Sequence, residues 1–147
     1  MYIVYKSHNG SIARYARLLY YETDLPVYSI EEAKSKLPDL TEIIYLGWSR
    51  AGNIKGYKRA AKRYRIYAVC AVGMGRIDTQ TENIRRKNGI SENIPLFTLQ
   101  GDFYGKQRVR PENLDAVVDW YYAWYKRNGR RKQNENFNKN PKDLSCI

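Results

Sequence analysis

Tyr2-Ile3-Val4-Tyr5-Lys6-Ser7-His8-Asn9-Gly10-Ser11-Ile12-Ala13-Arg14-Tyr15-Ala16 joins two periodicities across one short loop. Tyr2 to Tyr5 is an apolar run of β-formers, and Ser7-His8-Asn9-Gly10 ends it with turn residues. From Ser11 to Tyr21 the apolar residues Ile12, Tyr15, Ala16, Leu18 and Leu19 recur at helical spacing. A strand that feeds a helix through a tight loop is the opening of a βαβ unit.

The alternation continues outward. Pro26-Val27-Tyr28 reads as a short second strand, and Ser29 with Glu32 forms a capping box for a helix that closes before Pro38. Glu42 to Leu46 reads as a buried third strand broken by Gly47. Asn53 to Tyr64 reads as a helix with Ile54, Tyr57, Ala60 and Ala61 inward and Lys55, Lys58, Arg59, Lys62 and Arg63 outward. Arg65 to Val72 is the most strand-like stretch, ended by Gly73-Met74-Gly75. Thr79 and Glu82 then form a second capping box for a helix reaching Lys87 and stopped by Asn88-Gly89. Pro95 to Leu99 is the fifth strand. Pro111 opens a last helix that carries Trp120, Trp124 and Tyr125 and ends at Asn128-Gly129. Residues 1–129 thus form one domain, and the Lys/Asn/Gln-rich residues 130–147 are expected to be a disordered basic tail. Five strands alternating with helices predict a parallel sheet covered on both faces. A response-regulator receiver would need acidic residues at the first and third strand ends. Lys6 and Gly47-Trp48 stand there, which removes that option.

Charge bounds the function. Lys and Arg number 26 against 15 Asp and Glu, a net +11 and a pI near 9.7. Such a field attracts anions: nucleic acid, an anionic lipid surface, an acidic protein or an anionic small molecule. No run approaches the ~20 apolar residues of a membrane span, and the first residues read as a strand rather than a signal peptide. Cys70 lies in a strand and Cys146 in the polar tail, so no disulfide is expected. Together these predict a cytoplasmic protein.

In an open parallel sheet, ligands bind beyond the carboxyl ends of the strands. The first such loop is Ser7-His8-Asn9-Gly10-Ser11-Ile12. Backbone N–H groups at the start of a helix, with the helix dipole behind them, favour a phosphate. Ser7, Asn9 and Ser11 add donors, and Gly10 lets the backbone come close. The loop matches neither G-x-x-x-x-G-K-[ST] nor G-x-G-x-x-G. Taken alone it is equally an ordinary strand-to-helix turn, because Ser, Asn and Gly are common turn residues.

Tyr5 to Ala16 resembles the FMN phosphate signature of flavodoxins. It is most similar to that of the small flavodoxin-domain proteins related to menaquinone-dependent protoporphyrinogen oxidase, Y-K-S-x-T-G-x-T-x-x-Y-A. The likeness continues in Ile44-Tyr45-Leu46-Gly47-Trp48, Ala71-Val72-Gly73 and Phe97-Thr98-Leu99-Gln100-Gly101-Asp102-Phe103, over residues 1–105. Two positions depart from the pattern. Asn9 replaces one donor, Thr, by another, and Ile12 replaces a Thr whose hydroxyl would reach the phosphate. The resemblance implies a flavodoxin-like three-layer α/β/α sandwich with a five-stranded parallel sheet in the order 2-1-3-4-5. It also implies FMN as cofactor. Ser7, His8, Asn9, Gly10, Ser11 and Ile12 would then hold the phosphate. Gly47, Trp48, Ser49, Arg50 and Gly52, with Gly73, Met74 and Gly75, would clasp the ring, and Asp102 would border it.

Within that frame Trp48 either stacks on the flavin or packs against the sheet end. His8 either touches the phosphate or is solvated, and Cys70 reads as strand core. The aromatic run Trp120 to Tyr125 packs on the sheet or, with the basic tail, anchors at a membrane interface. The expected function is an FMN-binding redox protein, an electron carrier or a flavin-dependent oxidoreductase, acting on an anionic redox partner, a small anionic substrate or an anionic membrane surface. The alternative is a flavodoxin-like scaffold without cofactor, acting as a basic binding module for protein or nucleic acid. No recognised nucleic-acid motif accompanies the charge.

Overall fold

The computed structural model describes residues 1–7, 10–75, 80–101 and 109–137. In chain order the elements are β1 (Tyr2–Lys6), α1 (Ser11–Thr23), β2 (Val27–Ser29), α2 (Ile30–Lys36), β3 (Glu42–Arg50), β4 (Asn53–Ile54), α3 (Tyr57–Arg63), β5 (Arg65–Gly73), α4 (Thr81–Asn88), β6 (Leu96–Gln100), a 3₁₀ turn (Pro111–Leu114) and α5 (Asp115–Phe137). The parallel strands lie in the order β2-β1-β3-β5-β6, with β4 paired antiparallel to β3. The expected order 2-1-3-4-5 counted parallel strands alone. The extra strand β4 takes a number, and the arrangement of the five parallel strands is otherwise the one expected.

Strand alternation builds two cores, because successive side chains point to opposite faces. Ile3, Ile44, Leu46, Trp48, Cys70 and Val72 face α1 and α5, where they meet Ile12, Tyr15, Leu19, Val117, Tyr121 and Trp124. Val4, Ile43, Tyr45, Val69 and Ala71 face the other way, onto Ala33 of α2, Tyr57 and Ala60 of α3 and Ile84 of α4. The result is a three-layer α/β/α sandwich of flavodoxin-like type. Among the described residues, no helix is long and apolar enough to cross a membrane.

Local chemistry sets several boundaries as expected. Ser29 caps α2 reciprocally: the Glu32 N–H donates to Ser29 Oγ and the Ser29 N–H to Glu32 Oε1, each at 3.1 Å. Other boundaries differ. β3 does not break at Gly47 but runs to Arg50 and turns back on β4 through Ala51 (φ 52°) and Gly52 (φ 83°). Positive φ at both central residues is the requirement of a type I′ hairpin turn. Asn53–Ile54 is therefore strand rather than the start of a helix, and α3 begins after Gly56 (φ 77°). Ala61 is exposed rather than inward. In the structure α4 opens at Thr81 with Gln80 as its cap, without a side-chain bond; the expected capping box rests on Thr79. Thr79 itself lies outside the described residues. The last helix opens with the 3₁₀ turn and continues to Phe137 instead of stopping at Asn128-Gly129. Residues 138–147 of the expected tail lie outside the described residues.

Candidate functional site

The carboxyl ends of β1, β3, β5 and β6 share one edge of the molecule, and the β3–β4 hairpin stands over it. Two tight approaches shape the hairpin. A Cβ at Gly47 would lie 2.7 Å from Ile54 Cγ2 and 2.8 Å from the Lys55 carbonyl oxygen, so β4 can fold back only over a glycine. Beside it, the Tyr45 hydroxyl donates to that same Lys55 carbonyl at 2.5 Å. Burial pushes the Tyr45 phenol well above its ordinary pKa, so it stays a donor.

Asn88, the last residue of α4 and 6% exposed, latches the hairpin from the side. Its Oδ1 accepts from the Ile54 N–H at 3.0 Å, and its Nδ2 donates to Gly52 O and Ile84 O, both at 2.7 Å. Lys87 Nζ adds a bond to Ala51 O at 2.8 Å. A buried amide with three partners holds the hairpin in one place.

Between this hairpin, the end of β5 and the start of α4 lies a cavity of about 390 Å³. Its walls are Trp48, Ser49, Arg50, Ala51 and Gly52 on one side and Gly73, Met74, Gly75 and Gln80 on the other. Ala71, Ile84, Thr98 and Leu99 also line it. The structure thus brings together Trp48, Ser49, Arg50, Gly52, Gly73, Met74 and Gly75, which the resemblance assigned to two separate ring loops. Gly47 lies beneath, in the strand. Met74 is 53% exposed at the rim.

Trp48 takes the second of the two roles open to it, packing against the sheet end. It lies inside β3, is 2% exposed and belongs to the core shared with Ile12, Val72 and Leu99. Its indole offers no open face for stacking. Gly47, Ser49 and Arg50 are likewise strand rather than loop residues.

The described residues of the first loop, Ser7, Gly10, Ser11 and Ile12, lie at the same end of the sheet and are not among those that line the cavity. Gly10 (φ 92°) caps α1, and the first turn bond runs from the Arg14 N–H to Gly10 O at 3.0 Å. Ser7 is exposed and Ser11 is fully buried. Ile12 is fully buried too, its side chain turned into the core, so a threonine there would bury a hydroxyl rather than present one to a ligand. At Gly10, Ser11 and Ile12 the group left to meet an anion is backbone. Gly101 stands between Ser11 and Trp48: a Cβ at Gly101 would lie 3.3 Å from Trp48 Cζ3 and 3.5 Å from Ser11 Cβ. His8, Asn9 and Asp102 lie outside the described residues.

Tyr15 pins the far wall. Its hydroxyl donates to Gln100 O at 2.5 Å and accepts from the Arg110 N–H at 2.9 Å, while the Gln100 N–H donates to Asn113 Oδ1 at 2.9 Å. Asn88 and Tyr15 had not been singled out for these roles, because their partners lie far along the chain. Cys70 is fully buried with its thiol pKa raised by burial, as expected of strand core. Tyr121 and Trp124 of the aromatic run are buried on the sheet, which is the packing expected of them. No group of three metal-ligating side chains occurs among the described residues. No family model, curated protein or solved structure matches this chain.

Proposed function

We propose that the protein binds FMN at the carboxyl edge of its sheet and works as a flavin-dependent redox protein, either a carrier or an oxidoreductase with an anionic partner or substrate. The observation that carries this reading is the 390 Å³ cavity between the β3–β4 hairpin and Gly73–Gly75, at the edge where α/β sheets take their ligands.

The residues present fit the group. Ala71, Ile84 and Leu99 offer an apolar floor, Met74 a polarizable thioether for an aromatic face, and Gly73 and Gly75 backbone polar groups for a ring edge. Phosphate would rest on the backbone at the start of α1. When bound, the flavin supplies the electron chemistry. The chain orients the ring, shields one side of it and sets its surroundings. The net +11 favours an anionic redox partner or substrate and contact with an anionic membrane surface.

Gly75 supplies the test, because a Cβ there meets nothing within 4 Å and its φ is not positive, so Gly75→Leu should fold normally. Fluorescence titration should show saturable FMN binding to the full chain and a loss of about tenfold or more in the variant, whose side chain crowds the cavity. A colourless protein that never saturates with FMN would leave the second reading, a cofactor-free scaffold serving as a basic binding module. The net +11 favours that reading, since a basic surface attracts an anionic partner without a cofactor.

A further inference from the structure

Lys55, Lys58, Arg59, Lys62 and Arg63 read in the sequence as one solvated basic face, but the structure divides them. Arg63 Nη2 donates to Lys34 O at 2.7 Å and Leu37 O at 3.0 Å, and its Nε lies 3.1 Å from Asp39, so this cation fastens α3 to the end of α2. Arg85 and Lys87 are used similarly: Arg85 Nη1 donates to Ser91 O and Ile94 O, and Lys87 Nζ to Ala51 O.

Arg50, Lys55, Lys58 and Arg59 are different. All four are exposed, and all four line one cleft of about 580 Å³ between the β3–β4 hairpin and α3. Among the described residues, none of them lies within ion-pair distance of a carboxylate. Glu31, whose charge reaches Arg59, is already paired with Lys6 at 2.5 Å. Among the described residues, the rest of the lining is uncharged. Four cations around one concavity repel one another, and a compact polyanion relieves that repulsion while accepting their hydrogen bonds.

We propose that this cleft is a binding site for the diphosphate group of a small molecule. The cleft is larger than one phosphate requires and falls within the range of small-ligand sites. A nucleic-acid strand fits it less well. Among the described residues no aromatic ring lines the cleft, and Tyr45 and Tyr57 are buried and offer no face for a base. The cleft shares Arg50 and Ala51 with the 390 Å³ cavity, so a ligand held here lies beside that cavity whether or not flavin occupies it.

Calorimetric titration of the full chain with inorganic pyrophosphate at low salt tests the site, with inorganic phosphate and a single-stranded oligonucleotide run in parallel. Pyrophosphate should bind saturably and about tenfold tighter than phosphate. The pair Lys58→Gln/Arg59→Gln should weaken it about tenfold, and Lys55→Gln alone several-fold. Lys126→Gln/Arg127→Gln, exposed on α5, should change it by less than about twofold. Every substituted position is exposed, so all variants should melt with the wild type. Absence of pyrophosphate binding, or equal losses in the two double variants, overturns the proposal. Phosphate binding as tightly as pyrophosphate removes the diphosphate assignment. An oligonucleotide that binds more tightly than pyrophosphate and is lost in Lys58→Gln/Arg59→Gln replaces it with a nucleic-acid interface.

Discussion

Trp48 and Ala51 lie three residues apart and represent opposite uses of a side chain. Trp48 fills the core between β3 and α1, so Trp48→Ala leaves a cavity rather than an exposed flavin. The expected cost is about 3–5 kcal/mol, seen as a large fall in the denaturation midpoint without any ligand. A variant as stable as wild type would return Trp48 to the ligand site. Ala51 has little to pack but holds a left-handed backbone, φ 52°, at the hairpin turn. Ala51→Gly should relieve that strain and raise stability by about 1 kcal/mol, measurable by urea denaturation. Destabilisation by this change would mean that the turn is held by contacts of the methyl group instead.

Among the elements, the β3–β4 hairpin depends most on its neighbours. Two residues of β4 cannot secure a hairpin by themselves. The Asn88 amide, 34 and 36 residues along the chain from Ile54 and Gly52, supplies what the short ladder lacks. Asn88→Ala leaves the Ile54 N–H and the Gly52 carbonyl without that partner. The expected loss is about 2–4 kcal/mol, with faster hydrogen exchange at the Ile54 amide and weaker ligand binding in the cavity that the hairpin walls. Unchanged exchange at Ile54 would show that the Lys87 bond suffices. The α2 capping box, by contrast, is wholly local. Ser29 and Glu32 find each other within one turn, which is why that boundary was legible in the sequence and the hairpin was not.

Across the whole molecule, tyrosine burial couples stability to alkaline pH. The phenols of Tyr15, Tyr45, Tyr57, Tyr64 and Tyr121 are all raised by burial, Tyr121 to about 12. A raised phenol keeps its proton in the folded chain at a pH where the unfolded chain has lost it. The linkage is therefore flat at neutral pH and becomes destabilising above about pH 10, the unfolded value. The melting temperature should hold steady to about pH 9 and then fall as phenolate absorbance rises with unfolding. A melting temperature unchanged well above pH 10 would contradict the burial of these rings.

The sequence alone determined the α/β alternation, the five parallel strands and the capping box at Ser29, because each follows from the period of apolar residues or from contacts a few residues long. It also carried the phase that places Trp48 in the core. Ile44, Leu46 and Trp48 keep a period of two straight through Gly47, although the glycine read as a break. The tertiary structure alone decided that Gly47 sits under a returning hairpin. It also decided that Arg63 is consumed by carbonyls while Lys58 and Arg59, among the described residues, meet no carboxylate, and that one buried amide on α4 holds the wall of the cavity. In each case the deciding contact joins residues that packing brings together across several elements, and no local pattern carries that distance.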